Sequence, residues 1–568
     1  MAKMSGGVAV VEALRRQGVT HAFGVIGTAM LELFDALYDQ TDISYVGVRH
    51  EQNAVHMADA YGRVRGRAGV VLAGQPGPGA TNLVTGLAEA RLAFSPVVAL
   101  AGDTASSQVD RGTFQEIDQQ ALFTPITKRT MTVRSAGRIP EYVQEAFRTS
   151  ESGRCGPVVV NIPGDLLASQ IDAIFQPPEK LRAAGDVPPA AAALEQAAEI
   201  LNRSKRPLII AGAGVKWARA SARLIALAER MNAPIAASAG HGDVVPNDHP
   251  LFVGQVGRRG NAVATELAKK ADVILALGTR LGYNTTLFSH EIVSAEAEIV
   301  QVDIEPTAVG RYFPIAVGIV ADAGATAEAL APLLRADPAR SSWVTDAQER
   351  RRELLAERAG AADEAAVPLN PMAIFAAIQR VLPRNAIVTL DTGTCSLHAT
   401  DAVQTFEAPS LLTPLDFGLV GFSHAAGLGA KAAAPDRPVL SLIGDGGFGM
   451  AMCEIGTALA AGLNTVTIVL NNGCWGAEKA YQRDFFEGRY FGADIVNPAF
   501  DQVARAFGAN GVRAETVDDV STALADALRE DVPTVIDVAV DPDTITSFRR
   551  DSFPHRVAAG AVADSASR

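Results

Sequence analysis

The sequence predicts an α/β protein built from three doubly wound parallel-sheet domains. Its 568 residues exceed what one core holds, since a domain takes roughly 150 residues. Short apolar, β-branched runs alternate with helical patterns almost from end to end. Runs that are apolar on both faces are typical of strands that helices cover on both sides. Two stretches without strand periodicity divide these runs into three groups.

Each group of runs predicts one parallel sheet. The first group is SYVGV, GVVLA, PVVALAG and PVVVNIP, the second is PLIIAGAG, DVILALG and EIVQVDI, and the third is AIVTLD, PVLSLIG, TVTIVLNN and TVIDVAV. A proline-rich stretch at residues 176–193 separates the first two groups, and a charged helical pattern at residues 336–370 separates the last two. We therefore expect domains over residues 1–175, 190–335 and 369–545, followed by a tail over residues 546–568.

Composition and charge narrow the class of protein. Apolar residues make up 48% and charged residues 20% of the chain, which is typical of a folded globular protein. The net charge of −13 disfavours binding to nucleic acid or to an anionic membrane. Three further features predict a cytoplasmic protein: four scattered cysteines, an N-terminal stretch unlike a secretion signal, and apolar runs far shorter than the ~20 residues of a membrane span.

A pair of motifs in the third group carries the most specific chemical signal. The tetrapeptide GDGG follows the run PVLSLI, and NN follows the run TVTIVL, with Asp445 and Asn472 27 positions apart. A strand, a helix and a second parallel strand occupy about that length, so both side chains are expected at the same edge of a sheet. One carboxylate and one amide oxygen suit Mg²⁺. The glycines Gly444, Gly446 and Gly447 would let backbone N–H groups approach a diphosphate.

The combination of GDGG with NN at this interval resembles the signature of thiamine diphosphate enzymes, although GDGG alone is also typical of an ordinary strand-to-helix turn. The resemblance implies thiamine diphosphate and Mg²⁺ as cofactors. The metal ligands would then be Asp445, Asn472 and the main-chain carbonyl of Cys474, with Trp475 and Gly476 beside the cofactor.

A second stretch, VGVRHEQNAVHMADAYGRVRG, resembles the pyrimidine-binding domain of the same superfamily. It places Glu51 at the end of a strand and the start of a helix. The resemblance implies that Glu51 protonates N1′ of the cofactor's aminopyrimidine, a role that needs a carboxyl group in apolar surroundings, where burial favours the protonated form. The alternative is a helix N-terminal carboxylate that only stabilises the helix dipole.

Further matches follow in the order of the superfamily. The turn GQPGPGATN resembles the glycine-rich turn of acetolactate synthase-like enzymes, which implies that Gly79 and Asn82 contact the cofactor. The segment GTFQEID resembles their active-site Phe-Gln segment and implies that Phe114 and Gln115 touch the substrate.

Two segments of the last domain complete the resemblance. DTGTC matches the strand end that anchors the diphosphate, which implies contacts from Thr394 and Cys395. FGLVGF matches the segment that supports the bent cofactor, which implies contacts from Leu419 and Val420. Many relatives carry Met, Leu or Ile where this chain has Val420.

The whole chain thus resembles the domain order of pyrimidine-binding, central and diphosphate-binding domains. The central stretch resembles the Rossmann-like middle domain, which holds FAD in acetolactate synthases and an ADP group in oxalyl-CoA decarboxylases. A lone GAG after a strand does not support either nucleotide here, so we expect a structural middle domain. The family arrangement, in which the cofactor bridges two subunits, implies at least a homodimer.

Three stretches, VIGTAM, WGAEKAYQRDFFEGRYFG and SFRRDSFPHR, resemble segments of the sulfoacetaldehyde acetyltransferase family. Those enzymes cleave sulfoacetaldehyde with phosphate to give sulfite and acetyl phosphate. The resemblance implies a catalytic Lys479 and substrate contacts from Thr28, Glu478, Arg549 and Arg550. Basic side chains suit a sulfonate and a phosphate, although such clusters are also typical of solvated surfaces.

Other activities of the same superfamily remain open. One is a decarboxylating carboligase of 2-oxo acids like acetolactate synthase, and another is a 2-hydroxyacyl-CoA lyase. A noncatalytic subunit is disfavoured, since Glu51, Asp445 and Asn472 are all present. We expect small-molecule substrates, an aldehyde or a 2-oxo acid together with phosphate, whereas the lyase would cleave a CoA thioester.

Overall fold

The computed structural model describes residues 2–183, 185–257 and 259–545. It contains three six-stranded parallel sheets and one two-stranded antiparallel ribbon, which confirms the predicted α/β class. The chain divides into two compact units, the first comprising residues 1–186, 414–439 and 453–465, and the second residues 187–413, 440–452 and 466–568. The predicted tail at residues 546–568, with Arg549 and Arg550, lies outside the described residues.

The first third of the chain forms a six-stranded sheet and contributes both strands of the ribbon. Its strands are β1 (Ala2–Ser5), β2 (His21–Val25), β3 (Ser44–Gly47), β4 (Gly69–Ala73), β5 (Val97–Asp103), β6 (Arg129–Thr132), β7 (Val158–Pro163) and β8 (Gln170–Ala173). Its helices are α1 (Gly6–Arg16), α2 (Leu31–Tyr38), α3 (Glu51–Arg65), α4 (Pro78–Thr81), α5 (Val84–Leu92), α6 (Gln119–Phe123), α7 (Ile139–Glu151) and α8 (Gly164–Ala168). The sheet order is β3-β2-β4-β5-β7-β6, and β1 pairs with β8.

The middle of the chain forms the second sheet. Its strands are β9 (Pro207–Ala211), β10 (Ile235–Ala237), β11 (Phe252–Gln255), β12 (Val273–Leu277), β13 (Glu298–Asp303) and β14 (Val317–Val320), in the order β11-β10-β9-β12-β13-β14. Its helices are α9 (Ala191–Arg203), α10 (Ala213–Trp217), α11 (Ser221–Met231), α12 (Ala262–Lys270), α13 (Tyr283–Thr286), α14 (Ala323–Leu330) and α15 (Ser341–Gly360). The last of these, α15, lies within the stretch predicted to be a helical connector.

The last third forms the third sheet. Its strands are β15 (Ile387–Leu390), β16 (Leu411–Leu412), β17 (Val439–Gly444), β18 (Val466–Asn471), β19 (Asn510–Ala514) and β20 (Thr534–Ala539), in the order β16-β15-β17-β18-β20-β19. Its helices are α16 (Pro371–Val381), α17 (Thr394–Ala402), α18 (Ser423–Ala433), α19 (Asp445–Ala451), α20 (Ile455–Ala461), α21 (Gly476–Phe485), α22 (Phe500–Phe507) and α23 (Val517–Ala527).

Alternate residues of the central strands enter different apolar cores, which is why these strands read as continuous apolar runs. In β4, Val70 and Leu72 belong to one core while Val71 and Ala73 belong to another. In β9 of the second sheet, Leu208 and Ile209 are likewise divided between two cores. Both sheets are therefore covered on both faces, as doubly wound parallel sheets require.

Within the first compact unit, α18 packs against α3. A Cβ atom on Gly429 of α18 would lie 2.0 Å from the carbonyl oxygen of Met57 in α3, so only glycine allows this approach. The helix that starts at Glu51 is thereby held along its length.

Within the second compact unit, the middle third contacts the last third through paired charges. Lys216 and Asp243 form an ion pair of 2.7 Å beside β16. Although burial acts to raise it, the Lys216 ammonium and two backbone N–H groups hold the pKa of Asp243 below its usual value. At the end of α17, the Asp401 carboxylate accepts hydrogen bonds from Arg351 and Arg358 of α15. Among the described residues, no helix is both long enough and apolar enough to cross a membrane.

Candidate active site

Three neighbouring strands of the third sheet, β15, β17 and β18, end where the sequence predicts the cofactor site. Thr394 is the first residue of α17, Asp445 is the first residue of α19, and Asn472 follows the last residue of β18. Because the carboxyl ends of parallel strands meet at one edge, this edge collects the predicted residues of the second compact unit.

Asp445 is held by an asparagine that the sequence analysis did not single out. The Asp445 side chain is 2% exposed, and its Oδ2 accepts a hydrogen bond of 2.7 Å from Nδ2 of Asn497. Asn497 Nδ2 also lies 3.2 Å from Oδ1 of Asn471. Burial raises the pKa of Asp445, and the Asn497 hydrogen bond acts against that rise. A cation beside this carboxylate would favour its charged form.

Asn472 and Cys474 form a short turn after β18. The backbone N–H of Cys474 donates to Oδ1 of Asn472 over 3.3 Å. Burial raises the pKa of the Cys474 thiol to about 11, so the thiol is neutral near pH 7. This leaves the main-chain carbonyl as the group of Cys474 that suits a hard cation, as the resemblance implied.

Two glycines allow the helix starts to approach each other closely. A Cβ on Gly446 would lie 2.6 Å from the ring of Trp475, and a Cβ on Gly476 would lie 2.5 Å from Oγ1 of Thr394 and 3.2 Å from Nδ2 of Asn472. The starts of α17, α19 and α21 therefore converge on one place. Gly444, the last residue of β17, has open space at its Cβ position, and Gly447 is buried in α19.

Two hydroxyl groups at the start of α17 are shielded from solvent without a partner. Thr392 Oγ1 and Ser396 Oγ have no hydrogen bond within residues 2–183, 185–257 and 259–545. Gly393 between them has φ +138°, a conformation that favours glycine, and Cys395 is the second residue of α17. Unpaired buried hydroxyls at a helix start are the donors that a bound anion would satisfy.

Lys479 and Glu478 lie in the first turn of α21. Lys479 Nζ forms an ion pair of 2.9 Å with Asp494 and lies 5.2 Å from the centre of the Tyr490 ring. The hydrogen bond to Asp494 is the main cause that raises the pKa of Lys479. The Glu478 side chain is exposed. The predicted basic group is thus close in sequence to the predicted metal ligands but already has a carboxylate partner.

The first compact unit holds the second set of predicted residues. Glu51 is 8% exposed, and its Oε2 accepts a hydrogen bond of 2.8 Å from Nδ2 of Asn82. A Cβ on Gly79 would lie 3.4 Å from Oε1 of Glu51, so the glycine-rich turn is in contact with this carboxyl group. Burial, followed by the nearby charge of Glu51, raises the pKa of Tyr45 to about 12.

Gln115 and Thr28, which are far apart in sequence, are joined by Gln75. Thr28 Oγ1 donates to Oε1 of Gln75 over 2.9 Å, and Nε2 of Gln75 donates to Oε1 of Gln115 over 3.1 Å. Phe114, next to Gln115, is 86% exposed. Leu419 and Val420 are half-buried in the same compact unit, in a turn where Gly418 and Gly421 have positive φ.

Family models match three parts of the chain. The N-terminal TPP binding domain of thiamine pyrophosphate enzymes matches residues 4–122, the central domain of these enzymes matches residues 194–330, and their C-terminal TPP binding domain matches residues 391–538.

Curated relatives are similar over nearly the whole chain. A sulfoacetaldehyde acetyltransferase of Alcaligenes xylosoxydans xylosoxydans is 33% identical over 582 residues, covering 97% of this chain and 95% of the relative. A sulfoacetaldehyde acetyltransferase of Castellaniella defragrans is 34% identical, covering 97% and 96%. A probable acetolactate synthase large subunit of Methanocaldococcus jannaschii is 33% identical, covering 95% and 92%. The chain belongs to the thiamine pyrophosphate enzyme family.

Membership in the thiamine pyrophosphate enzyme family makes this a thiamine diphosphate-dependent enzyme and confirms the predicted resemblance. The geometry fits that cofactor. The unpaired hydroxyls of Thr392 and Ser396 and the converging starts of α17 and α21 suit a diphosphate, and the buried Asp445 suits a cation beside it. The buried carboxyl group of Glu51 suits a hydrogen bond to a ring nitrogen of the cofactor.

Sequence reasoning missed three residues of this thiamine pyrophosphate enzyme that support the predicted ones. Asn497 binds Asp445, Gln75 joins Thr28 to Gln115, and Glu454 holds the turn before α3. The fully buried carboxylate of Glu454 accepts hydrogen bonds from the Arg49 backbone N–H and from Asn53 Nδ2. Gln75 stands inside the quoted turn GQPGPGATN, but only the folded chain shows its partners.

Proposed function

We propose that the enzyme converts sulfoacetaldehyde and phosphate to acetyl phosphate and sulfite. The observation that carries the proposal is the placement of Lys479, which lies in the first turn of α21 and whose ammonium pairs with the exposed carboxylate of Asp494. Relatives named sulfoacetaldehyde acetyltransferase, similar over 95% or more of each chain, support it. The reaction breaks the C–S bond of the sulfonate, so a departing and an entering anion must both be accommodated.

The cofactor supplies, when bound, the carbon nucleophile and the electron sink for cleaving a bond next to a carbonyl. Asp445, Asn472 and the Cys474 carbonyl would hold Mg²⁺, and the N–H groups at the starts of α17 and α21 would bind the diphosphate. Glu51 exchanges a proton with N1′ of the aminopyrimidine, while Asn82 orients the Glu51 carboxyl group through its 2.8 Å hydrogen bond.

The phosphate step assigns a role to the ion pair of Lys479. The partner carboxylate, Asp494, has a side chain that is 72% exposed. Phosphate displaces this exposed carboxylate from the Lys479 ammonium, which then holds the anion beside the reacting carbonyl. Arg549 and Arg550, from the residues that are not described, supply further cationic groups to the same anion.

The proposal includes a homodimer, because the family arrangement, in which the cofactor bridges two subunits, brings Glu51 of one subunit to the cofactor held by Asp445 of the other. It also includes a cytoplasmic location. The proposed domain boundaries are residues 1–175, 190–335 and 369–545, and each of these ranges encloses one family match. The middle domain has a structural role.

The second candidate is a carboligase of 2-oxo acids, favoured by the similar identity of the acetolactate synthase relatives. A product screen separates the two. The purified enzyme with Mg²⁺ and thiamine diphosphate is supplied with sulfoacetaldehyde and phosphate, or with pyruvate. Sulfite and acetyl phosphate that form only when phosphate is present support the acetyltransferase. Carbon dioxide and a 2-hydroxy-2-methyl-3-oxo acid from pyruvate, without sulfite release, would support the carboligase instead.

A matched pair of variants tests the phosphate role. Lys479→Ala should raise the phosphate KM by about 30-fold or more, because the anion loses one charged partner. Lys431→Ala is the control, since Lys431 Nζ donates to backbone carbonyls of Pro435 and Arg437 and has no place in the site. A Lys479→Ala variant with an unchanged phosphate KM would leave the carboligase as the better account.

A further inference from the structure

Gln75 is the centre of a hydrogen-bond chain in the first compact unit. Its Oε1 accepts from Thr28 Oγ1 over 2.9 Å and from the backbone N–H of Ala29 over 3.2 Å. Its Nε2 donates to Oε1 of Gln115 over 3.1 Å. The chain therefore runs from the β2–α2 turn through the glycine-rich turn to the Phe-Gln segment.

The hydrogen bond from the Ala29 N–H fixes which group donates in each of the other hydrogen bonds of Gln75. A backbone N–H can only donate, so the Gln75 atom that faces Ala29 must be the carbonyl oxygen. The Gln75 amide nitrogen must then face Gln115, and the Gln115 atom that receives it must also be an oxygen. As a result, Gln115 turns its NH₂ group away from Gln75. Within residues 2–183, 185–257 and 259–545, no protein group pairs with that NH₂ group.

The backbone of Gln115 is held as firmly as its side chain. Gln115 has φ +65°, a left-handed conformation that is costly for a residue with a Cβ atom. A Cβ on Gly77 would lie 2.6 Å from the carbonyl oxygen of Gln115, so the glycine-rich turn packs directly on this residue. The Gly77 N–H in turn donates to Oε1 of the buried Gln119. Such a fixed donor is suited to recognition rather than to adaptable packing.

This hydrogen-bond chain lies beside Glu51, the proposed proton-transfer group. A Cβ on Gly79 would lie 3.3 Å from Cβ of Gln75 and 3.4 Å from Oε1 of Glu51. Gln75 and Glu51 thus border the same glycine, and both Gln75 and Gln115 remain only half-buried. The NH₂ group of Gln115 is available to a substrate that reaches Glu51's side of the site.

We propose that Gln75 is a positioning residue that fixes the Gln115 amide with its NH₂ group toward the substrate, so that the site selects a substrate with an anionic oxygen. In the proposed function this anion is the sulfonate of sulfoacetaldehyde, and naming it so rests on that function. A 2-oxo acid would present a carboxylate to the same donor. Reversing the Gln75 amide would place the Gln115 carbonyl oxygen against either anion and repel it.

The test compares Gln75→Met, which has similar length and no polar atoms, with Gln75→Glu, which can only accept. Unreactive ethanesulfonate and propionate serve as probes, titrated calorimetrically into the enzyme with Mg²⁺ and thiamine diphosphate. Gln75→Met should lower the affinity for the anionic probe roughly tenfold, because a hydrogen bond to a charged group is lost. Gln75→Glu should lower the affinity further, because the Gln115 amide would then turn its carbonyl oxygen toward the anion. The preferred probe shows whether sulfonate or carboxylate is the natural partner.

Kinetics and a second substitution separate positioning from general damage. Gln75→Met should raise the KM for the anionic substrate while kcat and thiamine diphosphate affinity stay within about twofold. In a Gln115→Met background, Gln75→Met should change anion affinity no further, since the two residues act as one unit. The control is Gln108→Glu, a charge change at an exposed glutamine whose side chain makes no hydrogen bond within the described residues.

Two results would overturn the proposal. One is that Gln75→Met binds ethanesulfonate and propionate with wild-type affinity. The other is that the wild type binds neither anion. Failure of the proposed function has a different signature. In that case the wild type releases no sulfite from sulfoacetaldehyde, but the two variants still lose affinity for the anionic probes.

Discussion

Asn82 Nδ2 donates a hydrogen bond of 2.8 Å to Oε2 of Glu51, although the two residues are 31 positions apart in sequence. Asn82 immediately follows α4, and Glu51 is the first residue of α3. The bond occupies one carboxyl oxygen and leaves Oε1 next to Gly79, where no side chain stands. Glu51 therefore presents one defined oxygen to the site.

Glu51→Gln should preserve the fold and most of the cofactor affinity while abolishing catalysis, because an amide cannot exchange a proton with N1′. Exchange of the cofactor's C2 proton, followed by NMR in D₂O, should slow by orders of magnitude. Glu32→Gln, a change at another helix-start glutamate, is the control. Unchanged C2 exchange in Glu51→Gln would remove Glu51 from the proposed role.

Asp445→Ala should abolish Mg²⁺-dependent binding of thiamine diphosphate, because the diphosphate charge would lack its bridging cation. Asn497→Ala should weaken the binding less, since it frees the carboxylate without removing it. Calorimetric titration of the cofactor with and without Mg²⁺ measures both. The control is Asp526→Ala on α23. Among the described residues, Asp526 forms an ion pair only with Arg529, so this variant should bind the cofactor like the wild type.

Gly446→Ala should lower the melting temperature and the cofactor affinity, because the added Cβ would lie 2.6 Å from the Trp475 ring. Gly449→Ala is a matched control in the same helix, with nothing within 4 Å of its Cβ position. The control should be neutral or stabilise by about 0.5–1 kcal/mol, as alanine does in a helix. Equal thermal shifts for both variants would contradict the predicted contact.

Light scattering should give at least the mass of a dimer. Large apolar side chains of both units are exposed in the single chain, among them Phe114 at 86% and Phe491 at 89%. Obligate interfaces typically bury upwards of ~2,000 Å² and are apolar, so a partner subunit would cover such groups. Full activity from a species of monomeric mass would refute the shared site.

Acid should destabilise the protein through two buried histidines. Burial, with help from the charges of Arg63 and His50, lowers the pKa of His56 to about 3, and burial lowers the pKa of His424 to about 4. Both are neutral when folded and bind protons when unfolded, so their stabilising contribution is complete above about pH 6.5 and is lost as the pH falls toward these values.

Each histidine should lower the unfolding free energy by up to about 1.4 kcal/mol for each pH unit below about 6.5. Urea unfolding at pH 7 and pH 5 should show it, and His424→Gln should reduce the difference in unfolding free energy between the two pH values. His290→Gln, at an exposed position, is the control. An unfolding free energy independent of pH in the wild type would exclude this account.

The buried strands could be read from the sequence because both faces of each strand are apolar. GVVLA corresponds to β4 and VILAL to β12, and every residue of both strands is buried. The strands that no run predicted are short or partly exposed, such as β16 with two residues and β14 with alternating burial. Their pairing depends on neighbours that are distant in sequence, which local patterns do not encode.

For the candidate site, the sequence predicted residues whose chemical type and spacing are both characteristic, such as Asp445 and Asn472. It did not identify Asn497 or Gln75, because an amide becomes informative only when its partners are known. It also did not indicate that Lys479 pairs with Asp494, since the carboxylate stands 15 positions away. Hydrogen-bond partners are a property of the fold rather than of the motif.

The ion pair of Lys216 and Asp243 also covers part of the open edge of the third sheet. Leu411 lies in the outermost strand of its sheet, where unpaired backbone groups can recruit a strand from another molecule. The Leu411 N–H donates to Asp243 over 3.0 Å, and its carbonyl oxygen accepts from Lys216 Nζ over 2.9 Å. The two side chains together mimic the missing neighbouring strand. Because Asp243 and Lys216 satisfy these two backbone groups, Leu411 offers neither of them to a strand from another molecule.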